Sequence, residues 1–191
     1  MTGLGGLPMP GLARMAEVTR AISEAARRGP GEAVGRWLIH EPWSIVGQRN
    51  TVKAMNRIVM PAIPTGLAST NGDATDAMNE WYRARSVGGV GLILVEPAQV
   101  IRDDGERDSS PVRGEFTPRL VIDAKSDQKA LRSLADAIRL SGAVPGISLA
   151  LPSDPDIATA ALSDFKMWIE AVAVASSACD TAGFEVIELV F

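Results

Sequence analysis

Hydrophobic and polar positions alternate along the chain between two kinds of pattern. Residues 13–28 set Met15, Val18, Ile22 and Ala25 on one stripe and end in Arg27-Arg28-Gly29-Pro30. That spacing predicts an amphipathic helix with a basic last turn and a Gly-Pro stop. A Gly-rich joint, Pro30 to Gly35, follows, and Ser44 to Lys53 reads as a short hairpin around Gly47. From there the pattern changes. Continuous apolar runs at Arg57 to Ala62, Val90 to Val95, Val144 to Leu149 and Glu185 to Phe191 are each bounded by breakers, which suits parallel strands covered on both faces.

Between those runs the helical period returns. Thr75 is a predicted N-cap for a helix carrying Met78, Trp81, Tyr82 and Arg85, stopped by Gly88-Gly89. Ser126 is expected to cap a second, with Leu131, Leu134, Ala135 and Ile138 on one face. Ser163 opens a third, bearing Phe165, Trp168, Ile169 and Val172 and running to Ala182-Gly183. The stretch from Ile101 to about Lys125 is polar and too long for a connector, so it is expected to be a lid, binding loop or mobile segment. The order from residue 57 is therefore β-α-β-α-β-α-β, an α/β class with right-handed crossovers and a parallel sheet. Pattern alone leaves half of a (β/α)8 barrel and a small doubly wound sheet both open. The expected organisation is an N-terminal extension over residues 1–36 and one domain over 37–191.

Composition narrows the chemistry. The 191 residues are 46% hydrophobic and 22% charged, values of an ordinary globular domain. A net charge of −4 and a sequence pI of about 5.1 argue against a dedicated nucleic-acid binder. Cys179 is the one cysteine, so no internal disulfide forms and a reducing, cytoplasmic setting is the expectation. Neither a signal-peptide pattern nor an apolar run of roughly 20 residues is present, so no membrane span is expected. With His40 as the sole histidine, a Ser-His triad or a multi-histidine metal site is hard to build. Asp103-Asp104, Glu106 and Asp108 lack calcium-loop spacing, and no metal site is expected. Gly88-Gly89-Val90-Gly91 precedes a strand, which is the wrong context for a dinucleotide fingerprint.

The segment Asn56-Arg57-Ile58-Val59-Met60-Pro61-Ala62 resembles the first barrel strand of the old yellow enzyme, or NADH:flavin oxidoreductase, family. The match continues in phase through Thr75-Asp76, Trp81-Tyr82, Arg85, Gly88 to Ile93 and Glu96. It resumes at Leu131 to Ile138 and Ser141-Gly142-Ala143, and it ends at Ala182 to Leu189. Each piece alone is weak; several in order are specific. The resemblance implies four parallel strands and three helices of a (β/α)8 barrel, plugged at one end by the hairpin. It further implies FMN at the C-terminal strand ends, where such barrels keep their chemistry. In the family NAD(P)H reduces the flavin, which passes hydride to an activated C=C bond, and the phosphate site comes from later strands.

The departures fall where the family touches flavin and substrate. Pro61, Ala62, Ile63, Pro64 and Thr65 occupy the end of the first strand, with Pro64 where the family often has Thr or Cys. Pro97 stands where a small residue lends a backbone N–H, and Ser148 where a glutamine bonds the flavin pyrimidine. Leu151 and Val190 stand where histidines are expected. Each lost donor weakens flavin binding by about 1–3 kcal/mol, so the implied FMN site is degenerate in the isolated chain. Thr65 and Glu96 remain as candidate catalytic groups. A turn-capping role for Thr65 and an ion pair at the barrel end for Glu96 stand beside that reading. Tyr82 and Trp81 read as packing residues.

Three roles are compatible with this pattern. One is a flavin oxidoreductase-family subunit that works as a homo- or hetero-oligomer through exposed barrel edges, with a family partner as one candidate. Another is a non-catalytic scaffold that takes a small apolar ligand between Ile63, Pro64, Pro97, Ser148, Leu151 and Val190. The last is a non-redox isomerase or cyclase with Glu96 as its acid or base.

Overall fold

In the computed structural model the chain divides into two units, Met1–Leu38 and Ile39–Phe191. The residues described are 38–47, 50–101, 118–151 and 162–190, with the side chains of 162–165 outside that set. The helix expected at 13–28 and the acidic stretch Asp103 to Asp108 lie outside the described residues.

A hairpin opens the second unit. β1 (Trp43–Val46) pairs antiparallel with β2 (Thr51–Ala54) in the register Trp43↔Ala54 to Val46↔Thr51. The elements that follow are β3 (Val59–Met60), α1 (Asp76–Val87), β4 (Leu92–Val100), β5 (Val121–Ile122), α2 (Gln128–Arg139), β6 (Val144–Ala150), α3 (Leu162–Ala182) and β7 (Val186–Val190). Four of the strands lie in the order β3-β4-β6-β7, every pair parallel, and β5 joins β4 in parallel as well. This is the expected four-stranded, three-helix α/β architecture.

Strand alternation divides the sheet into two faces. On one, Ile93, Val95, Ile147 and Leu149 pack with Met78 and Tyr82 of α1, Leu131, Leu134 and Ile138 of α2, and Ala175 and Cys179 of α3. On the other, Leu92 and Val144 pack with Val52 and Ala54 of the hairpin, joined by Ile45, Leu94 and Val186. The hairpin therefore plugs the inner face at the N-terminal strand ends, as the resemblance implied.

Three details depart from the sequence expectation. β3 is only two residues long, because Pro61 has no N–H with which to continue the ladder. β4 runs on to Val100 beyond the expected end, and its register with β6 shifts between Val95 and Ala98. Pro97 is thus inside a strand, at an irregularity where a missing N–H is tolerated. Within the stretch expected to be one long loop, Val121 and Ile122 form β5, both buried. Thr75 caps α1 as expected, accepting from the Met78 N–H. α2 is capped by Asp127, which accepts from the N–H groups of Lys129 and Ala130. Ser126 instead donates to Val121 O and Asp123 Oδ1.

Candidate functional site

The positions that match the family's flavin and substrate contacts fall toward the C-terminal end of the parallel sheet. Pro61 to Thr65 follow β3, with Pro61, Ile63 and Pro64 exposed and Ala62 and Thr65 half-buried. Pro97 is half-buried in β4, and Ser148 is fully buried in β6. Leu151 follows β6 and donates its N–H to the carbonyl of Val190, at 3.0 Å, on the end of β7. The parallel crossovers bring these dispersed residues to one rim.

Thr65 and Glu96 meet. The Glu96 side chain is 1% exposed, and its Oε2 accepts from the Thr65 N–H at 2.7 Å and the Thr65 hydroxyl at 2.5 Å. Its Oε1 accepts from the Leu120 N–H at 3.0 Å. Gln99 pairs with Val121 of β5 and also with Ala150 of β6, so β5 lies along the same side of β4 as β3. The carboxylate thus bridges the end of β3 and the start of β5. A buried carboxylate needs such donors to replace water. This engagement makes Glu96 a clasp, and its oxygens are turned to protein donors. The Thr65 hydroxyl also accepts from the Leu67 N–H at 3.2 Å, which forms the turn-capping arrangement weighed above.

The irregularity at Glu96 has its own support. Its backbone N–H donates to the Tyr82 hydroxyl at 2.7 Å. Tyr82 therefore fills the helix-facing core and also satisfies the strand where the ladder breaks. Burial is the main cause that pushes its phenol well above the ordinary tyrosine range. Helical spacing identified Tyr82 as packing but gave no sign of this polar role.

Ser148 has the opposite circumstance. Its side chain is 0% exposed and its Oγ has no hydrogen-bond partner. It lies on the inner face, since Ile147 and Leu149 on either side pack into the helix-facing core. In register beside it is Glu188, exposed, on β7. Glu188 was not among the sequence candidates; its parity with Val186, which packs on the hairpin, is the signal that places it on the inner face.

Other candidates find ordinary places. Cys179 is buried in α3, and desolvation pushes its thiol up to about 12. Trp81 stacks edge-on against Tyr82 with ring centroids 4.7 Å apart, and the Arg85 guanidinium lies 3.3 Å from the Trp81 ring centre. Gly91 has a packing role, because a Cβ there would lie 2.5 Å from the backbone oxygen of Asn56. Among the described residues, no group of three or more His, Cys, Asp or Glu could hold a metal ion, and no helix is long and apolar enough to cross a membrane.

Known structures share this arrangement of parallel β/α units. The chain superposes on Old Yellow Enzyme from Pichia sp. AKU4542 with a TM-score of 0.59 at 16% identity, covering 82% of this chain and 46% of that one. Half a barrel is matched. The fold is that of an old yellow enzyme-like half barrel. Histamine dehydrogenase from Rhizobium sp. 4-9 gives a TM-score of 0.61 at 22% identity over 80% of this half barrel and 25% of the dehydrogenase. In sequence, an NADH oxidase of Thermoanaerobacter brockii is 32% identical over 97 residues, which is 51% of this chain and 14% of the oxidase. The half barrel therefore spans a small part of that relative and under half of Old Yellow Enzyme. No protein-family model matches it.

Proposed function

We propose that this chain is one half of an old yellow enzyme-type oxidoreductase barrel, acting when a second half completes it, with a flavin site that is degenerate on its own strands. The similarity to oxidoreductases in both sequence and fold supports the family reading. The observation that carries the incompleteness is the rim itself. Pro64 and Pro97 have no N–H to offer, and the hydroxyl that replaces a glutamine, on Ser148, is shut inside the protein.

The residues described do not fit FMN unaided. A flavin's polar edge needs two or three aimed donors, and its phosphate dianion needs a helix N-terminus, backbone amides or an arginine. In the family the phosphate site lies on later strands, which this half barrel does not contain. NAD(P)H:acceptor chemistry would then belong to the completed barrel, whether the second half is on another chain or further along the same one.

Two alternatives carry less. An isomerase or cyclase would need Glu96 free to exchange a proton with a ligand, yet its carboxylate is buried and held by Thr65 and Leu120. A scaffold that holds a small apolar ligand fits the exposed Ile63 and Val190, but the Ser148 hydroxyl of its lining is fully buried.

The visible spectrum tests this reading. The purified chain should be colourless and should take up FMN only weakly, whereas a complex with a completing half should show the visible absorption of bound oxidised flavin. A monomeric chain that is yellow with one FMN per protein would overturn it.

A further inference from the structure

The strands of the sheet carry acidic side chains and no basic ones. Along one level lie Glu96 on β4, Ser148 on β6 and Glu188 on β7, the last two paired in register. Glu96 is satisfied by Thr65 and Leu120; Glu188 and Ser148 are not engaged in this way. Glu188 is exposed, and the Ser148 hydroxyl is fully buried without a partner. Strands β3 to β7 contain no lysine, arginine or histidine.

The edges beside this face are open. Among the described residues β3 and β7 each have a partner strand on one side only. Val59 of β3 and Leu189 and Val190 of β7 are apolar and exposed, the last two 43% and 41%. An apolar strand with an unpaired edge is built for pairing. Parallel pairing of β7 with a first strand, and of β3 with a last strand, would close a barrel.

Two identical copies could satisfy the strand count, but not the charge. Closing a barrel from two copies would enclose Glu96 and Glu188 from each, with no cation on any strand. Burying like charges without a counter-charge is strongly unfavourable. We infer that the surface formed by the β3 and β7 edges and by Glu188 receives a different β/α half barrel. That partner presents an arginine or lysine on its inner face at the level of Glu188. Its cationic head would meet the exposed Glu188 carboxylate. Glu188 then acts as a selectivity residue: it disfavours self-closure and favours a basic partner face.

This inference rests on the half-barrel reading of the proposed function but not on flavin. Its test measures association alone, so a colourless or yellow result leaves it untouched. Sedimentation velocity is run on the wild-type chain, on Glu188→Gln, on Glu188→Lys, and on an equimolar mixture of wild type with Glu188→Lys. Glu185→Gln serves as a control, because it removes the same charge from a residue outside the strand that faces Arg139. Circular dichroism checks that each variant is folded, which is expected because Glu188 is exposed. The wild-type chain and Glu185→Gln should remain monomeric. Glu188→Gln should self-associate at least about tenfold more tightly, and the wild-type–Lys mixture should associate more tightly than either component. A wild-type dimer unaffected by Glu188→Gln would overturn the inference. So would a series in which all samples, the mixture included, stay equally monomeric.

Discussion

β3 is held to β4 by two side-chain clasps, one at each end, and they differ in kind. At the N-terminal end Asn56 donates to Gly89 O at 2.7 Å and accepts from the Ile58 N–H at 3.0 Å. At the C-terminal end Glu96 takes two bonds from Thr65 and one from Leu120. Between them the ladder has only two residue pairs, Val59↔Leu92 and Met60↔Ile93. A strand that short contributes little by itself. The first strand of the half barrel is therefore kept in place by polar side chains rather than by its ladder. The neutral amide clasp lies beside a packed plug; the charged clasp lies at the rim where chemistry would be. Both clasps serve the scaffold, since each ties the first strand to its neighbour.

The largest expected effect comes from removing the charged clasp. Glu96→Ala strands two backbone N–H groups and a hydroxyl in a buried site, and each unsatisfied donor costs about 1–3 kcal/mol. The variant should lose about 3 kcal/mol or more of unfolding free energy by urea denaturation. Glu96→Gln, which keeps one acceptor oxygen, should lose clearly less. Equal losses for the two would mean that the cavity, and not the hydrogen bonding, governs the site.

The N-terminal clasp can be attacked through its glycine. Gly91 has no room for a methyl group, because Asn56 O and Oδ1 would both lie 2.5 Å from the new Cβ. Gly91→Ala must push Asn56 off its bonds to Gly89 and Ile58, at a cost of about 2 kcal/mol. Amide exchange at Ile58 should accelerate with it. If stability falls and Ile58 remains protected, the clasp survives and the strain has been absorbed elsewhere.

Much of this was legible from residues, and the misses have physical causes. Apolar runs and helix caps gave the β/α order, because burial on two faces and terminal hydrogen bonds leave local marks. The in-phase motifs from Asn56 to Leu189 gave the half barrel and its plugged end. Pro61 should have shortened the first strand, since a missing N–H is a local fact; the apolar run around it hid that. β5 was missed because two buried residues inside a polar stretch make no pattern. The partners of Glu96 lie 31 and 24 residues away in sequence, at Thr65 and Leu120, and no spacing rule reaches that far. Thr65 and Glu96 were singled out separately, and only the fold shows that they are one unit. Glu188 was invisible until strand parity put it beside Ser148.

The smallest effect is the most pointed, because it asks what Ser148 does. Among the described residues two serines, Ser86 and Ser148, are almost fully buried, and their hydroxyls differ in their partners. Ser86 Oγ donates to Ile138 O at 2.5 Å, joining α1 to α2, whereas Ser148 Oγ has no partner. Removing a satisfied buried hydroxyl costs about 1 kcal/mol, while removing an unsatisfied one relieves a desolvation penalty. Ser86→Ala should therefore destabilise the chain by about 1 kcal/mol, and Ser148→Ala should be neutral or stabilising by up to about 1 kcal/mol. Thermal unfolding of the two variants side by side gives the sign directly. If Ser148→Ala destabilised the isolated chain as much as Ser86→Ala, Ser148 would already be hydrogen-bonded.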